Sequence, residues 1–153
     1  MTHEPPPRTP HPGTAGTPRE SGLVLAALVF AGGTIGTGLR IGVAHLVPDA
    51  AGLPLGILVI NVSGSFALGL LLAALAARGP DEGRRKRARL FAGTGLLGGY
   101  TTYSALATDT TLLLDAGQAA TAVLYGLGSA AAGVAAAVLG AATAHALARG
   151  GRA

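Results

Sequence analysis

Apolar residues run nearly unbroken through 23–46, 53–77, 88–114 and 118–148, and polar or charged residues gather between the runs. About 20 apolar residues suffice for a helix to cross a hydrocarbon core, and each run is longer than that. The pattern predicts an all-α integral membrane protein with four transmembrane helices. The fourth run exceeds the thickness of a bilayer, so it tilts or extends into the interface.

The third run carries a break. Between Leu97 and Leu106 the chain reads Gly98-Gly99-Tyr100-Thr101-Thr102-Tyr103-Ser104, which combines weak helix formers with dense hydroxyl groups. Lipid cannot satisfy free backbone N–H and C=O groups, so non-helical backbone at membrane depth must be buried in protein or line a polar cavity. The break therefore predicts an ion site.

Composition agrees with the pattern: hydrophobic residues make up 50% of 153 positions and charged residues 12%, and the mean hydropathy is +0.52. These values exclude an ordinary soluble domain. Residues 1–22 hold six of the nine prolines and read as a disordered cytoplasmic tail ahead of a transmembrane domain at 23–148 and a short basic tail at 149–153. No clear small-residue cleavage site follows the first run, so it is read as a span and not as a signal peptide. The chain has no cysteine, which excludes disulfides, thiolate nucleophiles and zinc–thiolate sites.

The formal net charge of +4 would point to nucleic acid in a soluble protein, but here the charges mark topology. With four spans the tail, the middle connection and the C-terminus share one side. They carry Arg8, Arg19, Arg78, the basic cluster from Arg84 to Arg89, Arg149 and Arg152, which is 10 of the 11 basic residues. The short connections near Asp49 and Asp115 carry none, and Arg40 lies inside the first run. The positive-inside rule puts both termini in the cytoplasm; the expected location is the plasma membrane.

Four short spans do not readily enclose a pore alone. Gly32 and Gly36, Gly38 and Gly42, and Gly95 and Gly99 are four apart, and Gly126, Gly133 and Gly140 recur every seven residues. Such stripes let helices approach closely, either within the chain or against a second copy. In the second run Asn61 and Ser65 share a helix face. An amide there either hydrogen-bonds between helices or serves a ligand.

Gly56, Asn61, Gly64, Ser65 and Phe66, followed by the Gly98–Ser104 segment, closely resemble the Fluc (CrcB) family of fluoride channels. Gly32-Gly33-Thr34-Ile35-Gly36 ahead of Arg40, and Tyr125 with Ser129, extend the resemblance over residues 24–147. Each element is weak alone; their order over four spans is specific. The resemblance implies two four-helix subunits packed as an antiparallel dimer, two fluoride pores and a structural sodium ion at the interface. It implies no enzyme but passive export of cytoplasmic fluoride, which reduces fluoride toxicity.

Fluoride is small and strongly hydrated, so its path must offer hydrogen-bond donors or the positive edges of aromatic rings. The fluoride-pathway candidates are Asn61, Tyr103, Ser104, Tyr125, Ser129, Arg40 and Asp109; backbone carbonyls of Gly98 and Thr101 are the sodium candidates. Asp109 stands where the family has a glutamate. Two departures bear on mechanism. Tyr103 and Leu106 occupy the places of a phenylalanine pair, and leucine offers no ring edge to an anion; Gly133 falls where many relatives carry a hydroxyl.

An antiparallel homodimer needs one sequence to insert both ways, and the charge bias here opposes that. The expected partner is therefore an oppositely oriented homologue in a heterodimer, with a homodimer as the other arrangement. Two further readings stand beside a conducting subunit: a nonconducting partner, and a proton-coupled drug antiporter. The antiporter fits less well, because residues 23–46 contain no Asp or Glu.

Overall fold

The computed structural model describes residues 21–50 and 52–150, all of it helix and connecting turns apart from one isolated backbone bridge. The elements are α1 (Gly22–Leu46), α2 (Leu55–Ala76), α3 (Gly83–Ala88), a π-helical segment (Arg89–Leu97), α4 (Gly98–Tyr100), α5 (Tyr103–Asp115) and α6 (Ala119–Gly150). Helices α1, α2 and α6 are each long and apolar enough to cross a membrane. The remaining span, which follows directly from α3, is divided among the π-helical segment, α4 and α5, and its division at 101–102 falls inside the expected break. Residues 1–20 and 151–153, which include most of both expected tails, lie outside the described residues.

Turn chemistry sets the spans' ends. After α1, Val47 turns extended, and Ala50 and Leu53 exchange two backbone hydrogen bonds of 3.2 and 3.0 Å around Gly52, whose φ is +75°. After α5, the N–H of Gln118 donates to Leu113 O and that of Gly117 to Leu114 O, both at 2.9 Å. This is a Schellman closure, and it needs the left-handed φ of +77° that Gly117 supplies. Between α2 and α3 the Arg85 Nε donates to Pro80 O at 2.8 Å, and Arg89 pairs with Asp81 at 2.8 Å. Part of the basic cluster thus holds its own connection in shape.

The long helices pack as two sets. Helix α2 lies along α6, which also receives α5, while α1 lies against the π-helical segment and α4. Several contacts are backbone to backbone. A Cβ at Gly36 would run into Leu96 O, one at Gly99 into Gly33 O, and one at Gly140 into Phe66 O. The glycine stripes at 32 and 36 and at 95 and 99 therefore face each other within the chain, and Gly140 is likewise spent on an intrachain contact. Gly38 and Gly42 meet nothing within 4 Å. Large apolar side chains such as Phe30, Leu39, Leu124 and Val138 point outward, an arrangement that water would penalise and lipid accepts.

Gly36→Val is expected to destabilise the fold by about 1–3 kcal/mol through overpacking at the α1 seam, and Gly38→Val to change stability by no more than about 0.5 kcal/mol. Thermal unfolding in detergent checks both.

Candidate functional site

The site begins with a helix that stops in mid-span. Thr101 (φ −76°, ψ 156°) and Thr102 (φ −150°, ψ 121°) are extended, so the backbone leaves helical geometry between α4 and α5. In a continuous helix the Thr102 N–H would donate to Gly98 O. Here it donates to Asn61 Oδ1 at 2.8 Å, and Asn61 Nδ2 donates back to Thr102 O at 2.9 Å. Both polar ends of one amide on α2 thus take over the peptide groups of the break. This is one of the roles open to a mid-membrane asparagine, and it leaves the second Nδ2 hydrogen unclaimed.

Helix α5 then starts on Thr102, whose Oγ1 accepts from the Ala105 N–H at 3.2 Å, a hydroxyl N-cap. In a continuous helix that N–H would have served Thr101 O. Substitution of helical donors by side chains therefore frees the carbonyls of Gly98 and Thr101, the two carbonyl groups singled out in the sequence. The neighbouring Gly99 O accepts from Thr37 Oγ1 at 3.4 Å, which ties the break to α1. Among the described residues no group of three or more His, Cys, Asp or Glu is placed to hold a metal, so a cation here would have to rest on neutral oxygens.

Glycine permits this geometry. A Cβ on Gly64 would strike Thr101 Cγ2 and come within 3.1 Å of the Tyr100 ring, so α2 can approach the break only where it has no side chain. The Tyr100 hydroxyl lies 3.0 Å from Ser63 Oγ, a second link between α2 and the break. Sequence reasoning did not single out Thr102, Thr37 or Tyr100 individually. The signal for Thr102 was present as a hydroxyl residue opening an apolar helix.

Beside the break lies a cavity of about 730 Å³ between α2, α5 and α6, lined in part by Asn61, Ser65, Thr101, Tyr103, Leu106 and Gly133. Of the candidates, Asn61, Thr101 and Tyr103 meet there. Tyr103 is 82% exposed, its ring standing out from the chain. Ser104 is exposed, with its Oγ 3.2 Å from Thr102 Oγ1.

Tyr125 and Ser129 sit one turn apart on the buried face of α6. The Tyr125 hydroxyl has two acceptors in reach, Pro54 O at 3.1 Å and Asp109 Oδ2 at 3.4 Å. Asp109 is thereby placed against Tyr125 and away from the cavity lining. Ser129 is 4% exposed, and its Oγ has no hydrogen-bond partner among the described residues. A buried hydroxyl without a partner is costly unless something else meets it. Arg40 is half-buried on α1 and does not line the cavity.

Replacing Asn61 by Leu removes both bonds to Thr102 and leaves two buried peptide groups unpaired, at about 1–3 kcal/mol each. The expected outcome is a lower melting temperature together with faster amide exchange confined to residues 98–106, read by hydrogen–deuterium exchange.

The family described as CrcB-like protein, camphor resistance (CrcB), matches residues 27–141. The chain is 50% identical over 113 residues to a protein of Leifsonia xyli named fluoride-specific ion channel FluC 2, covering 74% of this chain and 78% of that one. It is 49% identical over 111 residues to fluoride-specific ion channel FluC 1 of Cutibacterium acnes, covering 72% and 78%. It is 44% identical over 109 residues to fluoride-specific ion channel FluC of Methylobacterium nodulans, covering 71% and 86%. These relatives carry the names of ion channels and not of enzymes. With a matched segment that includes α2, the break and most of α6, this multi-pass membrane protein belongs to the CrcB-like family.

Proposed function

We propose that this chain is one subunit of a fluoride-selective channel that lets cytoplasmic fluoride leave the cell passively. The observation that carries the reading is the clasped break: the Asn61 amide holds Thr102 beside a cavity of about 730 Å³ that also contains Ser65 and the Tyr103 ring. The relatives named above are fluoride-specific channels, and this arrangement suits that ion. Fluoride gives up tightly held water only where donors replace it, and the free Nδ2 hydrogen of Asn61, the ring edge of Tyr103 and the hydroxyls of Ser104 and Ser129 are donors of that kind. Tyr125 and Asp109 hold the α6 side of the path in place. Arg40, toward the non-cytoplasmic end of α1, draws anions to that mouth.

The direction of transport needs no coupled chemistry. In acid surroundings fluoride crosses as neutral hydrofluoric acid and ionises in the cytoplasm. An inside-negative potential then drives the anion out through a pore at about 2.3 kcal/mol per charge for each 100 mV.

The freed carbonyls of Gly98 and Thr101 fit a sodium ion, which asks for oxygen ligands without full negative charge. Two such carbonyls from each of two subunits would hold it, and the ion would supply cohesion between them. The basic residues fall almost wholly on one side of the spans. This favours an insertion with both termini cytoplasmic and an oppositely oriented homologue as the second subunit. A second reading, a nonconducting half that completes a partner's pore, is favoured by one observation: Leu106 lines the cavity where a second ring would serve the anion.

Fluoride-electrode recordings of valinomycin-driven efflux from potassium-loaded liposomes test these readings, with the chain alone, the chain co-expressed with a homologue, and chloride as control. Fluoride-selective release only with the homologue is the expected result. Release by the chain alone would overturn the heterodimer, and no release from either folded preparation would overturn the conducting role. Exchange of sodium for an organic cation is expected to weaken the dimer on size-exclusion chromatography and to slow efflux.

A further inference from the structure

Hydroxyl groups inside membrane helices normally satisfy themselves locally. In this chain Thr34, Ser63, Thr101, Thr110, Thr111 and Thr143 each donate to the carbonyl four residues earlier, at 2.6–3.0 Å. Such a hydroxyl has spent its one hydrogen and offers an anion nothing. The same accounting sorts the hydroxyls around the cavity. Thr101 and Thr110 are spent in this way, and Thr102 Oγ1 is taken up with Ala105 and Ser104. That leaves Ser65 and Tyr103 as the lining hydroxyls without a hydrogen-bond partner among the described residues.

Ser65 is only partly exposed and stands one turn beyond Asn61 on the same face of α2. Its Oγ lies 3.4 Å from the point where a side chain on Gly133 would begin. Both residues line the cavity, and at position 133 α6 puts no side chain beside that hydroxyl.

We propose that Ser65 is a further permeation and selectivity residue, whose Oγ–H lies beside Gly133 and donates to fluoride one helical turn from the Asn61 amide. The two donors are separated by about 6 Å along α2, a spacing that lets an ion engage the second before it has moved far from the first. The inference rests on the channel reading and names which hydroxyl on α2 serves it. It also supplies a donor beside a position where α6 has none.

The absence of cysteine makes Ser65→Cys the single thiol of this 153-residue chain. In liposomes with the co-expressed homologue, that thiol is expected to react with a small water-soluble methanethiosulfonate, and millimolar fluoride, but not chloride, is expected to slow the reaction. Ser65→Ala is expected to lower fluoride efflux about tenfold or more, the loss of one hydrogen bond to a charged group. Ser65→Thr, which keeps the hydroxyl, is expected to restore it. Ser65→Ala breaks no bond in the structure, so its melting temperature should match the parent's. Efflux from Ser65→Ala at the parent rate would overturn the inference, as would a Ser65→Cys thiol that is unreactive or is not protected by fluoride. If the parent itself passes no fluoride, the channel reading fails, and the protection experiment still decides whether fluoride reaches Ser65.

Discussion

Lipid offers no hydrogen bonds to a bare peptide group, and most of this structure answers that constraint at one place. The paired bonds between the Asn61 amide and the backbone of Thr102 let a membrane helix stop and restart without leaving those groups orphaned. From that clasp follow the released carbonyls of Gly98 and Thr101, the start of α5 on the Thr102 hydroxyl, and the approach of α2 that Gly64 permits. An interhelical hydrogen bond between side chains in a bilayer contributes only about 0.6 kcal/mol on average. Here the groups joined are backbone groups of the break itself, so the clasp governs shape more than its net energy suggests.

The division of the third crossing also explains how the helices associate. Its first part, π-helical and glycine-rich, belongs to the seam with α1, while its second part, α5, belongs with α6. One crossing serves two helix sets, and the break lies where it passes from one to the other. A π-helical stretch widens a helix by one residue per turn and is found at functional positions. In this chain it includes Gly95, where the main chain closes on α1, and Gly93, which faces Leu68 and Leu71 of α2.

Much of this was legible from the residues. The four apolar runs mark the spans to within a few positions, because twenty apolar residues in a row have few other uses. The Gly98–Ser104 segment marks the break, since glycine pairs and hydroxyls disfavour uninterrupted helix. What was not legible was pairing across helices. Asn61 read as an amide in need of a reason, but nothing local says that its partner is the peptide of Thr102, 41 residues on. The glycines at 32, 36, 95 and 99 read equally well as a surface for another copy, and only their mutual contact shows them spent within the chain. Spacing reports which residues share a face, and burial decides what that face meets.

The clasp has a consequence for biosynthesis. Chains enter the bilayer in order, and α2 is complete well before residues 98–104 have left the ribosome. During that interval the Asn61 amide has no partner in its own helix, and the break, when it arrives, carries exposed peptide groups that hydrocarbon will not accept. The break is a poor solute of the membrane alone, and it becomes acceptable through the amide that α2 offers it. The third crossing therefore settles in the lipid only where α2 is already there to receive it.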